Sequence, residues 1–291
     1  MTPVREQVAT ARKSQIPWLT LAWFGGLLLA FYGPVLWTLC EVWSTDPDMG
    51  HGFFVPLISG VIVWQKLPSL LAEKPVPNWW GLGMVTLAGL QLYVAALGVE
   101  LFLTRTALVI TIIGMVWMLG GTRYLRELAF PLLLLFFMVP IPAIIYNKIT
   151  FPLQFLASAL ANHALDFMMI PVLREGNILQ LADTTLSVVE ACSGIRSLLS
   201  LTFLSLVYGY FFETNKWMRG VLFAATVPIA IVANATRVTL TGVLAERDPK
   251  LAEGFLHSAS GWVIFMVALA ALLLFHHALK LGYRMVKAKK G

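Results

Sequence analysis

Cys192 is the residue of this 291-residue chain best placed to do chemistry. It sits in the run Glu190-Ala191-Cys192-Ser193-Gly194-Ile195-Arg196, between a carboxylate and a guanidinium, ahead of an apolar stretch that ends at Phe212. An ionised thiol is a strong nucleophile, and a helix N-terminus favours the thiolate through its partial positive charge. Two more groups suit such a nucleophile. Arg237, in Asn234-Ala235-Thr236-Arg237, stays charged at any relevant pH and can hold an oxyanion. His257, in His257-Ser258-Ala259-Ser260-Gly261-Trp262, can accept the thiol proton and pass it on. Asn234 shares a helix face with Arg237 at i and i+3, so it offers a second oxyanion donor or a group that orients the histidine. Arg196 follows Cys192 at i+4, and Glu190 precedes it by two residues; both are placed to tune the thiol. Together these side chains describe attack of a thiolate on a carbonyl.

Cys192, Arg237 and His257 are far apart in sequence, so the fold has to gather them. Composition says what kind of fold. The chain is 58% hydrophobic and 12% charged, against about 25% charged in a typical soluble domain. Apolar runs of membrane-spanning length recur along it, so we expect an all-α polytopic membrane protein forming one integral domain over residues 1–291. About eight spans can be drawn, roughly 16–39, 53–72, 81–99, 103–120, 127–146, 193–212, 219–241 and 261–281. The first is too long for the apolar core of a cleavable signal. Two cysteines, Cys40 and Cys192, make neither a disulfide framework nor a cysteine metal site, and no metal or cofactor is expected. Cys40 follows an apolar span without charged partners and reads as a small apolar residue.

The net charge of +6 is spread over short loops rather than gathered into a nucleic-acid surface. Most of the 21 Lys and Arg residues fall on one side if the N-terminus is inside, which puts both termini in the cytoplasm. Loops 40–52, 147–192 and 242–260 then face outward. Span order alone brings Cys192, before the sixth span, Arg237, at the outer end of the seventh, and His257, before the eighth, to that outer face. The long connection 147–192 holds an apolar segment, 151–170, that reads as an interfacial helix or a re-entrant element. After it, 177–181 and 184–189 read as strands around an Ala182-Asp183 turn, a small extracytoplasmic hairpin before the sixth span. Elsewhere, Glu100 and Arg105 flank an outer turn and read as an ion pair. His276-His277 reads as an inner interfacial pair, and Trp18, Trp37, Trp43, Trp79, Trp80 and Trp262 as interfacial anchors.

The segments EACSGIRS, NATR and FLHSASGW, in this order on consecutive spans, resemble the exosortase/archaeosortase family of membrane transpeptidases. MVPIP at 138–142, REGNILQL at 174–181 and DPDMGHGFFVP at 46–56 support the likeness, which covers about residues 46–265. The resemblance implies Cys192, Arg237 and His257 as catalytic residues, with Asn234 beside them. It also implies a location in a Gram-negative inner membrane with the active site facing the periplasm. The implied partners are exported proteins ending in a short motif (Pro-Glu-Pro in the best-known class), an apolar helix and a basic tail. Membrane lipids and an exopolysaccharide or lipid-linked acceptor complete the set, with no nucleic acid. His51 and Gly52 match a His-Gly pair of the family, but Gly50 stands where relatives often carry Ser. Relatives with an added C-terminal periplasmic domain are linked to exopolysaccharide work, and this chain ends without one. Two other readings fit the residues: a membrane cysteine protease that only hydrolyses, and a non-enzymatic exopolysaccharide export or assembly component. The second should carry polar residues at mid-membrane and inverted repeats.

Overall fold

Pro140 and Pro142 decide the layout of the middle of the chain. The structure, a computed structural model, describes residues 18–72, 74–182, 184–187, 194–247 and 254–288. The helices described are α1 (Trp18–Thr45), α2 (Phe54–Leu71), α3 (Trp79–Leu97), α4 (Leu101–Glu127), α5 (Ala129–Leu134), α6 (Ala143–Phe167), α7 (Gly194–Phe212), α8 (Lys216–Arg247) and α9 (Gly254–Ala288). Single 3-10 turns occupy Pro47–Phe53 and Leu135–Met138. Six segments among the described residues are long and apolar enough to cross a membrane, or seven if the broken pair α5–α6 counts as one span. The chain is therefore an all-α, multi-spanning membrane protein, with six or seven candidate spans among the described residues where eight were expected. The fifth expected span, 127–146, is interrupted because proline supplies no N–H and forces the preceding residue out of the helical region. Residues 143–146 belong instead to α6, so the element expected at 151–170 is a longer helix. The sixth, α7, offers an apolar stretch of only 17 residues, Arg196–Phe212, among the described residues.

The chain divides into two compact units, Met1–Pro140 and Ile141–Gly291. In the first, the proline break leaves carbonyls that no helix N–H can reach. Val139 N–H closes on the Phe136 carbonyl at 3.1 Å. The Met138 carbonyl accepts the Trp43 indole N–H at 2.9 Å, and the Phe137 carbonyl pairs with His51 Nε2 at 3.2 Å. A carbonyl only accepts, so Nε2 carries the proton. Gly52 has no side chain because the Trp43 indole lies where a Cβ would go. The His51-Gly52 pair is thus part of a cap on a broken helix, where an unpaired carbonyl would be costly.

Also in this unit, α3 and α4 form a tight hairpin. A Cβ at Gly81 would run into the Met118 backbone, and one at Gly121, whose φ is +78°, into the Val76 carbonyl. The expected Glu100–Arg105 ion pair is absent. Glu100 turns back to cap α4, its Oε2 accepting the Leu103 N–H at 2.6 Å, which meets the unpaired donors of that helix start.

In the second unit, α8 packs against α6, α7 and α9. A three-stranded antiparallel sheet, β1 (Leu173–Glu175), β2 (Ile178–Gln180) and β3 (Thr185–Ser187), lies on α6. It contains the expected hairpin, with Leu179 opposite Leu186, and adds β1 across the Gly176 turn, where φ is +68°. Val188 and Val189, expected in the last strand, lie outside the described residues. Leu179, Leu181 and Leu186 bury against Ala161 and Leu165 of α6 and Val238 and Ala245 of α8. Ser158 donates to the Gly176 carbonyl at 3.1 Å, and Arg174 donates to the Phe155 carbonyl at 3.3 Å.

At the far end of α8 a polar cluster ties three helices together. Glu213, between α7 and α8, is 2% exposed and accepts from His276 Nε2 of α9 at 3.0 Å. His276 Nδ1 meets the Tyr208 hydroxyl at 3.1 Å, Lys280 lies 3.8 Å from the same carboxylate, and Arg219 donates to the Glu213 carbonyl at 2.7 Å. His276 is therefore a buried strut rather than an interfacial residue. Burial pushes the Glu213 carboxyl up, but the Asn215 N–H, His276 and Lys280 together hold it below its ordinary value of 4.5. Its contribution to stability is present above the unfolded value and is lost as pH falls through the lower folded one. Glu213→Gln should therefore melt well below wild type near pH 7, with the gap closing below about pH 4.5 in thermal unfolding followed across pH. Gly81→Ala should cost about 1–3 kcal/mol through forced separation of α3 and α4. Gly25→Ala, with nothing within 4 Å of its Cβ, should be neutral in the same assay.

Candidate functional site

Helix α8 carries the two polar side chains of the site on one face. Its threonines are occupied with its own backbone: Thr236 donates to Val232, Thr239 to Ala235 and Thr241 to Arg237, at 2.9, 2.9 and 3.0 Å. Such back-bonding satisfies hydroxyls where water is scarce. Asn234, 6% exposed, instead lines a crevice of about 10 Å³ with Leu153 of α6, Leu198 of α7 and Val227, Ala230 and Ile231 of its own helix. That volume sits at the lower limit for a single water.

Arg237 lies one turn further along α8 and reaches α9. A Cβ built on Gly261 would stand 3.1 Å from Arg237 Cζ and 3.2 and 3.4 Å from its two terminal nitrogens. The guanidinium therefore sits over Gly261, and a side chain there would crowd it. Position 257 is four residues before Gly261 on α9, so it falls on the same helix face one turn away. The His257 side chain itself lies outside the described residues.

The described part of α7 begins at Gly194, and α7 runs antiparallel to α8. Thr202 and Thr226 hydroxyls meet at 3.4 Å, and Leu198 faces Asn234 across the crevice. Arg196 is exposed on the first turn of α7. Cys192 and Glu190 lie outside the described residues, so the structure describes neither group. Of the residues expected from sequence, it describes Asn234 in the crevice toward α6 and α7 and Arg237 against Gly261 of α9. Gly261 escaped sequence reasoning as a site residue, although its spacing of four from His257 within one motif was a usable signal. The Glu213–His276 strut left no such signal, since its members are 63 residues apart.

A family model described as Transmembrane exosortase (Exosortase_EpsH) matches residues 43–274. The chain belongs to the transmembrane exosortase family. The match starts at the tryptophan that caps the broken helix and ends within α9. It includes all three segments that carry Cys192, Arg237 and His257, so the likeness is not confined to apolar runs. No curated protein and no solved structure matches the chain.

The packing of Arg237 on Gly261 can be tested without any substrate. Gly261→Ala should destabilise the wild type by about 1 kcal/mol, because the neighbour must give way. In an Arg237→Ala background the same change should be neutral or stabilising, since alanine is the better helix former by about 0.5–1 kcal/mol. A double-mutant cycle on thermal stability measures the coupling.

Proposed function

We propose that this exosortase-family protein is a cysteine transpeptidase of a Gram-negative inner membrane that cleaves C-terminal sorting signals of exported proteins. Both termini are cytoplasmic, and the sheet and the site face the periplasm. The observation that carries this reading is the seat of Arg237 on Gly261, one helical turn from His257. A charged guanidinium held between two helices beside a buried asparagine is suited to an oxyanion that forms only during reaction. The start of α7, two residues after Cys192 in the chain, leads into Leu198 beside that asparagine.

The chemistry runs in two halves. His257 takes the Cys192 proton, and the thiolate attacks the carbonyl carbon of the scissile peptide. Arg237, with Asn234, holds the negative oxygen of the tetrahedral intermediate. The C–N bond then breaks, and the amine leaves with the proton returned by His257. This leaves the N-terminal part of the substrate as a thioester on Cys192. A nucleophile of a cell-surface acceptor, lipid-linked or an exopolysaccharide, attacks that thioester and frees the thiol; water in its place gives hydrolysis. Arg196 and Glu190 flank the thiol and set its ionisation. The substrate brings its own apolar helix, so it reaches the site by lateral diffusion in the bilayer.

The test uses an exported reporter ending in a Pro-Glu-Pro motif, an apolar helix and a basic tail, expressed with the protein. Cys192→Ala should abolish processing, and processing at the wild-type rate would contradict the assignment. Arg237→Lys should lose about 10²–10³-fold, as a point charge cannot replace the planar fork. Mass spectrometry of the new C-terminus separates transfer from hydrolysis, since hydrolysis leaves a free carboxylate.

A further inference from the structure

Arg105 is a charge that nothing described so far uses. It stands on the second turn of α4 and is 6% exposed. It shares a helix face with Leu108 and Val109, both 0% exposed. Among the described residues it makes no hydrogen bond or ion pair, and its Nε is buried without a partner. Glu100, the carboxylate nearest in sequence, is committed to the Leu103 N–H. Gln91, the polar side chain facing this turn from α3, donates to the Leu103 carbonyl and to Thr106 Oγ1. Glu100 therefore faces the guanidinium only at a distance, and Gln91 makes its hydrogen bonds elsewhere.

Burying a charge without a partner costs several kcal/mol, far more than a leucine or methionine at the same place. Among the described residues no group bonds the guanidinium, and Glu100 acts on it only through space, which leaves room for a further anion. Its place follows from the fold. α3 and α4 are both long enough to cross a membrane, and the turn between them, Gly98–Glu100, marks the bilayer surface. Arg105 lies about 6 Å along the helix axis from Leu101, within reach of that surface for an extended arginine. The oxyanions that populate this depth in a bilayer are the phosphates of lipid headgroups. A guanidinium grips such a phosphate through two parallel N–H bonds.

We propose that Arg105 is the core of an anion site at the α3–α4 turn that takes the phosphate of an anionic phospholipid headgroup. The site is independent of the cysteine chemistry and would stand if that reading failed.

The test is thermal unfolding of the full chain in detergent, followed by tryptophan fluorescence. Three additives are compared: dioleoylphosphatidylglycerol, an uncharged galactosyl diacylglycerol, and inorganic phosphate at fixed ionic strength. Phosphatidylglycerol should raise the melting temperature of the wild type in proportion to the logarithm of its concentration above its Kd, and the galactolipid should not. Arg105→Gln should lose about half or more of that rise, while Lys148→Gln, an exposed basic residue on α6, should keep it. Should Arg105→Gln fail to fold, Arg105→Lys carries the comparison: a weakened response supports the site, and an undiminished one overturns it. Equal responses in wild type and Arg105→Gln, or no wild-type response to either phosphate source, overturn the proposal. Stabilisation by inorganic phosphate as strong as by the lipid overturns the headgroup assignment and leaves a free anion as the ligand.

Discussion

A polar group inside a hydrocarbon slab has no water to bind, so each one must find its partner within the protein. Much of this chain is arranged around that constraint. The Pro140–Pro142 break would strand carbonyls at the end of the Leu135–Met138 turn, and Trp43 and His51 are turned onto two of them. The threonines of α8 bond back to their own helix, and a carboxylate at its start is locked to His276. Arg105 is one departure from the pattern among the described residues, and it carries the one inference that reaches outside the chain.

The same constraint shapes the candidate site. Arg237 of α8 also packs against the neighbouring helix at a glycine, Gly261. That contact sets how closely α8 and α9 pack at Gly261, one helical turn from position 257. On the other side of α8, the sheet is pinned to α6 by Ser158 and Arg174 and buries its leucines against both helices. Strand β3 of this sheet ends at Ser187, and α7 begins at Gly194. The segment bearing Cys192 is thus bounded by a fixed strand and by a helix packed on Asn234.

Much of this was legible in the residues. Apolar runs of the right length announce spans, and alternation around Ala182-Asp183 announces β2 and β3. The spans went wrong where local chemistry outvoted hydropathy: at 127–146 the apolar run continues but two prolines cannot join a helix. β1, Leu173–Glu175, ends in Arg174-Glu175 ahead of Gly176, so no apolar alternation marks it. Glu100 and Arg105 sit close enough in sequence to pair, yet a helix start needs its N–H groups met, and Glu100 answered that need first. His276 shows no sign of burial in sequence because its partner Glu213 belongs to another helix end. The proposed catalytic set was read from residue types and span order; the packing of Arg237 on Gly261 was not.

The central claim is a covalent intermediate on one sulfur. It is tested most directly by stopping the reaction with acid while reporter is in excess and measuring the intact mass and the peptide map of the protein. The account predicts an adduct of the reporter's N-terminal part on Cys192, released by neutral hydroxylamine and lost in Cys192→Ala. An adduct on Ser193, or turnover of the reporter with no adduct on Cys192 at any time point, would contradict it.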